Sequence, residues 1–321
     1  MITTKHFRKD ADRPSTIPIW SRWGHNLGHR FHSVWNRIRG KVSTPWAESP
    51  NETTAGMTLR VGSQTAKGRR EINEDRCYVD ASHGILLAVD GMGGHNGGET
   101  ASQIIVETIP DYIRQAIEST DVDQYSIQEC IEQAIEESRH EMIHYAERHA
   151  GFSGMGATLA LAVVAEDRAF VTNVGDSRAY RLHGCELCRL TSDDTFVQAL
   201  ISAGALTEAA ARNHPLRHVV TNFVGVKPLD HRPEIVDVPL DAGDEIVLTT
   251  DGITDVLDDE AIVTILSSHQ HPQSASTAIV SEAIANASKD NVTCVVGRLI
   301  VLNQRAISPE NGESVSLLCV A

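Results

Sequence analysis

The 321-residue chain is 41% hydrophobic and 22% charged, the balance of a folded soluble protein with room for one large domain or two small ones. Its longest apolar run, 157–165, is about half the roughly 18–20 residues a membrane helix needs, and no apolar core with a small-residue cleavage site opens the chain, so neither a span nor a secretory leader is expected. A net charge of −15 argues against nucleic acid as a partner of the whole chain, and six cysteines in this length point to a reducing cytoplasm rather than a disulfide framework.

That charge is uneven. Residues 1–50 hold nine Lys or Arg against three acids, a local balance of +6, whereas the remaining 271 residues carry −21. All four tryptophans, Trp20, Trp23, Trp35 and Trp46, also fall there. The shift places a boundary in the polar stretch 44–56, giving a basic, Trp-rich extension over 1–55, a main domain over 56–302 and an aperiodic C-terminal tail over 303–321. Trp20, Trp23, Leu27, Phe31, Val34 and Ile38 recur at spacings of three or four, with Arg22, Arg30, Arg37 and Arg39 elsewhere around the turn. Residues 19–39 therefore read as a basic amphipathic helix suited to the anionic inner face of a membrane or to an acidic protein partner. A tail without fixed structure, or a start codon set too far upstream, is the plain alternative.

Beyond residue 57, strand signals cover 58–64, 84–89, 157–165, 168–174, 179–183, 245–250 and 291–300, each rich in Val, Leu, Ile or Thr and bounded by Gly, Asn or Asp. Tight polar connections at Glu166-Asp167 and His183-Gly184 predict antiparallel hairpins. Helical spacing covers 99–117, where Pro110 is expected to break or kink the helix. It also covers 126–149, which opens on Ser126 and Glu129 as a capping box and continues with Ile127, Ile131, Ile135 and Met142 on one side. Two further helices are predicted over 259–268 and 274–287. Strands and helices in blocks point to an α+β fold with antiparallel sheets.

The informative residues are acids at strand ends. Asp90 closes an apolar run and precedes Gly91-Met-Gly-Gly; Asp251 closes another and precedes Gly252; Asp176 follows Val174-Gly175; Asp290 precedes Asn291-Val-Thr; and Glu74-Asp75 follows Arg70-Glu-Ile-Asn. One Asp at a strand mouth is usually a turn former or a cap. Five such sites are costly unless paired or bound to a cation. Oxygen ligands without neighbouring His or Cys select Mg2+ or Mn2+, and two such ions roughly 4 Å apart can clamp a phosphoryl group and activate a water. Spacing alone thus gives a metal-dependent phosphate enzyme of unspecified kind.

The order of the motifs narrows this. Arg70-Glu-Ile-Asn-Glu-Asp75, Val89-Asp-Gly-Met-Gly-Gly-His95 with Gly98-Glu-Thr-Ala-Ser102, Gly154-Met-Gly-Ala-Thr158, Asn173-Val-Gly-Asp-Ser-Arg178, Leu190-Thr-Ser-Asp-Asp194, Thr250-Asp-Gly-Ile-Thr-Asp255 and Asp290-Asn-Val-Thr293 run in sequence over about 57–300. This resembles the metal-dependent Ser/Thr protein phosphatases of the type 2C (PPM) family, in its compact bacterial form. The resemblance implies a four-layer αββα sandwich with a metal cleft at one end. It also implies hydrolysis of phosphoserine and phosphothreonine by direct attack of a hydroxide bridging two Mn2+ or Mg2+ ions, opposing a bacterial Ser/Thr kinase. By motif, Asp90 would bridge both ions with the Gly91 carbonyl contributing; Glu74 would serve one ion, directly or through water; Asp251 and Asp290 would serve the other. Asp75 would hold metal-bound water and Arg70 the substrate phosphate, while Asp176 and Asp255 with Asp251 would form a weaker third metal site.

Met92 stands where animal members carry a His, which leaves protonation of the leaving group to water; His95 nearby reads as structural. Two departures concern other positions. Gly156-Ala-Thr158 replaces a common Gly-Thr-Thr at a place expected to lie away from the metals, and Asp194 stands where a His is common, at the entrance to a flap over 192–226. The second bears on substrate preference. Cys185 and Cys188 form a CxxC beside His183 but read as hairpin residues, and Cys77, Cys130 and Cys294 read as small core residues. Two alternatives remain on sequence grounds: a catalytically silent binding module acting through the N-terminal segment, and a dedicated phosphatase of a sigma-factor regulator.

Overall fold

A computed structural model describes residues 57–93, 97–119 and 124–301. The amphipathic reading of 19–39, the tail over 303–321 and His95 lie outside the described residues.

The first sheet takes its strands in the order β1 (Met57–Ala66), β11 (Val292–Val301), β10 (Glu245–Thr249), β6 (Arg178–His183) and β7 (Glu186–Arg189). The second runs β2 (Arg76–Asp80), β3 (Ile85–Met92), β4 (Gly156–Ala165), β5 (Arg168–Val174) and β9 (Val236–Pro239), with the short β8 (Val224–Gly225) on β4. Every pairing is antiparallel. Seven helices are described: α1 (Gly97–Ser119), α2 (Gln124–Arg148), α3 (Phe196–Ser202), α4 (Glu208–Ala211), α5 (Asp251–Thr254), α6 (Asp259–Ser268) and α7 (Pro272–Ala285).

Alternation along the strands makes the layers. Ile85, Leu87 and Val89 of β3 and Leu159, Leu161 and Val163 of β4 face one way, packing with Ile105, Ile109 and Ile113 of α1 and Ile131 and Ile135 of α2. The intervening Leu86, Ala88, Ala160 and Ala162 face the other sheet, meeting Ile246, Leu248, Val295 and Leu299. On the far side Val247, Cys294 and Val296 pack with Ile262, Leu266, Ile279 and Ala283 of α6 and α7. Small residues let the sheets close together: a Cβ on Gly297 would come within 2.6 Å of Leu86 Cδ1. Four layers, helix–sheet–sheet–helix, follow.

Some expectations are corrected. Pro110 does not break α1, which runs unbroken from Gly97 to Ser119. The ring costs one backbone hydrogen bond, but Pro110 is buried, and the packing of the apolar face of α1 holds the helix together. Ser126 is the third residue of α2 rather than its cap, because the helix already starts at Gln124. The β6–β7 turn is Gly184-Cys185, with His183 paired to Glu186 and Gly184 at φ +60°. Cys294 is buried, while Cys77 and Cys130 are half-buried and Cys185 and Cys188 exposed.

Candidate active site

The C-terminal ends of β3, β5 and β10 and the N-terminal ends of β2, β4, β6 and β11 meet at one end of the sandwich, and the predicted acids ride on them. Asp90 lies near the end of β3, opposite Thr158, and Gly91 is opposite Ala157. Gly156-Ala-Thr158 is therefore not remote from the acids as expected; it is their cross-strand neighbour, and the Thr158 hydroxyl shares a 2.8 Å hydrogen bond with Ser177, next to Asp176. Asp251 opens α5 straight after β10, Asp176 lies in the β5–β6 turn, Asp290 precedes β11, and Glu74 and Asp75 precede β2.

Glycine makes the close approach possible. A Cβ on Gly98 would stand 2.6 Å from Glu74 Oε1 and 2.6 Å from the Gly91 carbonyl oxygen, so both oxygens crowd the first turn of α1. Gly175, at φ +100°, would drive a Cβ to 2.4 Å from Thr158 Cγ2, so the turn carrying Asp176 also needs a glycine.

Asp75 is wholly buried. Its Oδ2 accepts from the hydroxyls of Thr250 at 2.9 Å and Thr293 at 2.7 Å, while Oδ1 has no partner. Burial pushes its carboxyl up to about 6, opposed by those hydroxyls. Asp90 is held well above the usual carboxylate range by burial and then by the charges of Asp75, Asp251, Asp176 and Asp290. Asp251 is raised likewise, by burial and then by Asp176, Asp290 and Asp255, and its Oδ1 is another buried oxygen without a partner. Burial and Asp193 raise Asp176 to about 6, against the pull of Arg178. These mutual effects place Asp75, Asp90, Asp176, Asp251, Asp255 and Asp290 within one field.

Arg70 stands at the rim, 54% exposed, its Nη2 donating to Asp290 Oδ2 at 2.6 Å. Burial works against its charge, but Asp290, then Asp90 and Asp251, outweigh it and raise its pKa.

Several supporting residues were not assigned from sequence. Asn291 accepts from the Glu74 backbone at 2.9 Å and donates to the carbonyls of Lys67 and Ile72, fixing the segment that carries Glu74 and Asp75. Thr250 and Thr293 were visible only as motif letters beside the acids. Asp194, at the entrance to the flap, is held by hydrogen bonds. It accepts from the Gly175 backbone at 3.0 Å, from Asn222 at 3.2 Å and from His231 at 3.0 Å, tying the returning flap to the turn that carries Asp176.

The donors expected from the sequence are all oxygens, two of them buried and unpartnered, and the acids repel one another. Such a set fits divalent cations of the Mg2+ and Mn2+ type.

The profile of protein phosphatase 2C matches residues 64–288. The chain belongs to that family. As a phosphatase 2C it is a metal-dependent protein phosphatase with the fold its motifs implied. It is 30% identical over 237 residues to the serine/threonine phosphatase stp of Listeria monocytogenes, covering 73% of this chain and 93% of that one. It is 32% identical over 247 residues to PstP of Mycobacterium tuberculosis, covering 76% of this chain and 46% of that longer protein. Among solved structures, the phosphatase Stp1 of Staphylococcus aureus superposes with a TM-score of 0.69 at 29% identity, covering 78% of this chain and 99% of that one. The catalytic domain of PstP in complex with two manganese ions gives 0.67 at 28% identity, covering 76% and 99%.

Proposed function

We propose that this phosphatase hydrolyses phosphoserine and phosphothreonine in proteins, reversing a Ser/Thr kinase, whose substrates or own phosphorylated form it would meet. The observation that carries this reading is the pair Asp90 and Asp251, set among like charges, with Asp251 Oδ1 unpartnered. Asp90 with the Gly91 carbonyl would lie between two Mn2+ or Mg2+ ions, Glu74 on one side, Asp251 and Asp290 on the other, with Asp176, Asp251 and Asp255 around a weaker third. When bound, the ions neutralise phosphoryl charge and supply an activated water for in-line attack. The two-manganese form of the PstP catalytic domain supports this count.

The chain's own residues do the rest. Asp75, oriented by Thr250 and Thr293, keeps Oδ1 open to hold a water beside Asp90. Arg70 would swing from Asp290 to grip the phosphate with its planar fork. Met92 offers no proton, so the leaving alkoxide takes one from water in the cleft. A silent binding module would have no reason to keep so many repelling acids, which favours the enzyme.

Catalysis is confined to 56–302 in this reading. Among the described residues no helix is long and apolar enough to cross a membrane. We place the enzyme in the cytoplasm, with residues 19–39 tethering it to the anionic inner face of the membrane.

The test is phosphate release from a phosphothreonine peptide with Mn2+, with Mg2+ and with EDTA, for the wild type and Asp90→Asn. Activity that needs metal and vanishes in the variant supports the reading; full activity in thoroughly chelated protein overturns it.

A further inference from the structure

Most arginines of the domain are paired with its acids, as in Arg178 and Arg189 with Asp193, Arg181 with Asp244 and Arg298 with Glu245. Among the described residues Lys67, Arg69, Lys289, Arg212 and Arg217 enter no ion pair, and all of them are exposed. The other unpaired cations, Arg60, Arg148 and Lys227, are scattered over β1, the end of α2 and the loop after β8.

Lys67, Arg69 and Lys289 belong to one rim of the cleft. Arg70 N donates to Lys67 O at 3.1 Å, closing the turn 67–70, and Asn291 Nδ2 donates to the same carbonyl at 3.0 Å. Gly68 stands at φ +56°, where a Cβ would fall 2.0 Å from the Asp290 carbonyl oxygen, so the turn lies directly on the segment that carries Asp290. Lys67 and Arg69 thus accompany Arg70, the residue placed on the substrate phosphate, and Lys289 comes immediately before Asp290. Glu71 is the only acid between Ala66 and Asn73. Arg212 and Arg217 ride on the flap, which touches the cleft where His218 Nδ1 stands 3.7 Å from Asp255 Oδ2. Apolar side chains are open to water in the same two places: Ile72 at 46% beside the basic turn, Leu216 at 44% and Val219 at 43% beside Arg217.

A small phosphate ester would need none of these groups, since the ions and Arg70 suffice to hold its phosphoryl oxygens. Exposed apolar residues among unpaired cations suit a longer chain that carries negative charge. Bound divalent ions compensate the acids of the cleft, which leaves the rim cations to act on whatever approaches. We propose that the preferred substrates are phosphoproteins with Asp or Glu flanking the phosphorylated residue, recognised by Lys67, Arg69 and Lys289. The inference rests on the protein phosphatase reading given above and adds the class of sequence that the cleft selects. Because these charges are exposed, their attraction reaches only about 8–10 Å at ordinary salt, so the preference must weaken as salt rises.

Phosphothreonine peptides of equal length would be compared with Asp and Glu, with Ala, or with Lys around the phosphorylated residue, all with saturating Mn2+. The expected kcat/KM is about tenfold higher for the acidic than for the basic peptide at low salt, falling to about twofold at roughly 0.5 M salt. Lys67→Gln with Arg69→Gln and Lys289→Gln should bring the low-salt preference down to about twofold, while the Ala-flanked peptide is hydrolysed within about threefold of the wild-type rate. Arg69→Gln alone, on an exposed turn, should take part of the preference away. Equal kcat/KM for the acidic and basic peptides in the wild type, or a preference that both variants keep in full, would overturn the proposal. Failure to hydrolyse any of the three peptides with Mn2+ would instead overturn the phosphatase reading on which it stands.

Discussion

Asp193 and Asp90 are both carboxylates near strand ends, and their surroundings differ completely. Asp193 accepts from Nε and Nη2 of Arg178, the latter at 2.7 Å, and pairs with Arg189 as well. Elsewhere Asp244 takes Arg181 and His183, and Glu245 takes Arg298 at 2.6 Å. In the cleft, by contrast, none of the ion pairs among the described residues reaches Asp75, Asp90 or Asp251; their neighbours are hydroxyls, backbone and one another. Buried acids with cationic partners hold the fold together. Buried acids without them cost stability, and a fold tolerates that where a cation must come from outside. Pairing, rather than the number of acids, separates Asp193, Asp244 and Glu245 from Asp75, Asp90 and Asp251.

The largest expected effect is on chemistry. Asp90→Asn should cut turnover by about 10^3-fold or more, about 4 kcal/mol of barrier, in a phosphopeptide assay with saturating Mn2+. Asp193→Ala should do the opposite kind of damage: about 3 kcal/mol of stability lost in urea unfolding, because Arg178 and Arg189 are left without their shared acid, with turnover of the folded fraction far less affected. If Asp193→Ala behaved like Asp90→Asn, the division between the two groups would fail.

Arg70→Ala should raise KM about tenfold with kcat little changed, since phosphate is gripped equally in ground and transition states. A smaller effect concerns pH. Burial would raise the Asp244 carboxyl, but the Asp241 backbone amide, Arg181 and His183 hold it below the usual range. Its stabilisation is present above the unfolded value near 4 and lost as pH falls through the lower folded value, so Asp244→Asn should flatten the acid limb of stability by about 1 kcal/mol. Smallest of all, removing residues 1–55 should leave peptide hydrolysis nearly unchanged while abolishing cosedimentation with anionic vesicles at low salt; retained cosedimentation would remove residues 19–39 from membrane contact.

Much of this was legible in the chain because glycines and acids at strand ends are local features. Asp90-Gly91, Asp251-Gly252 and Gly175-Asp176 announce a close backbone approach and a charge in the same two letters. What stayed hidden depends on register. Thr158 looks like an ordinary strand threonine until pairing sets it opposite Asp90. Thr250 and Thr293 read as strand formers, although their hydroxyls converge on an acid from 175 and 218 residues away along the chain. Short elements escaped too: β2 is half-buried at all five positions, so it shows no alternation, and β8 has only two residues.

The central claim is that repulsion among unpaired acids is relieved by divalent cations, and the melting temperature tests it most directly. Wild type and Asp251→Asn would be melted after chelation and again with Mn2+. Because the folded state holds the Asp251 carboxyl above its ordinary value, the charged form destabilises at neutral pH, and the neutral amide removes that cost. The account predicts that chelated Asp251→Asn melts higher than chelated wild type, and that Mn2+ raises the wild type by several degrees and the variant far less. A wild-type melting temperature indifferent to Mn2+, with a chelated variant that melts lower, would contradict it.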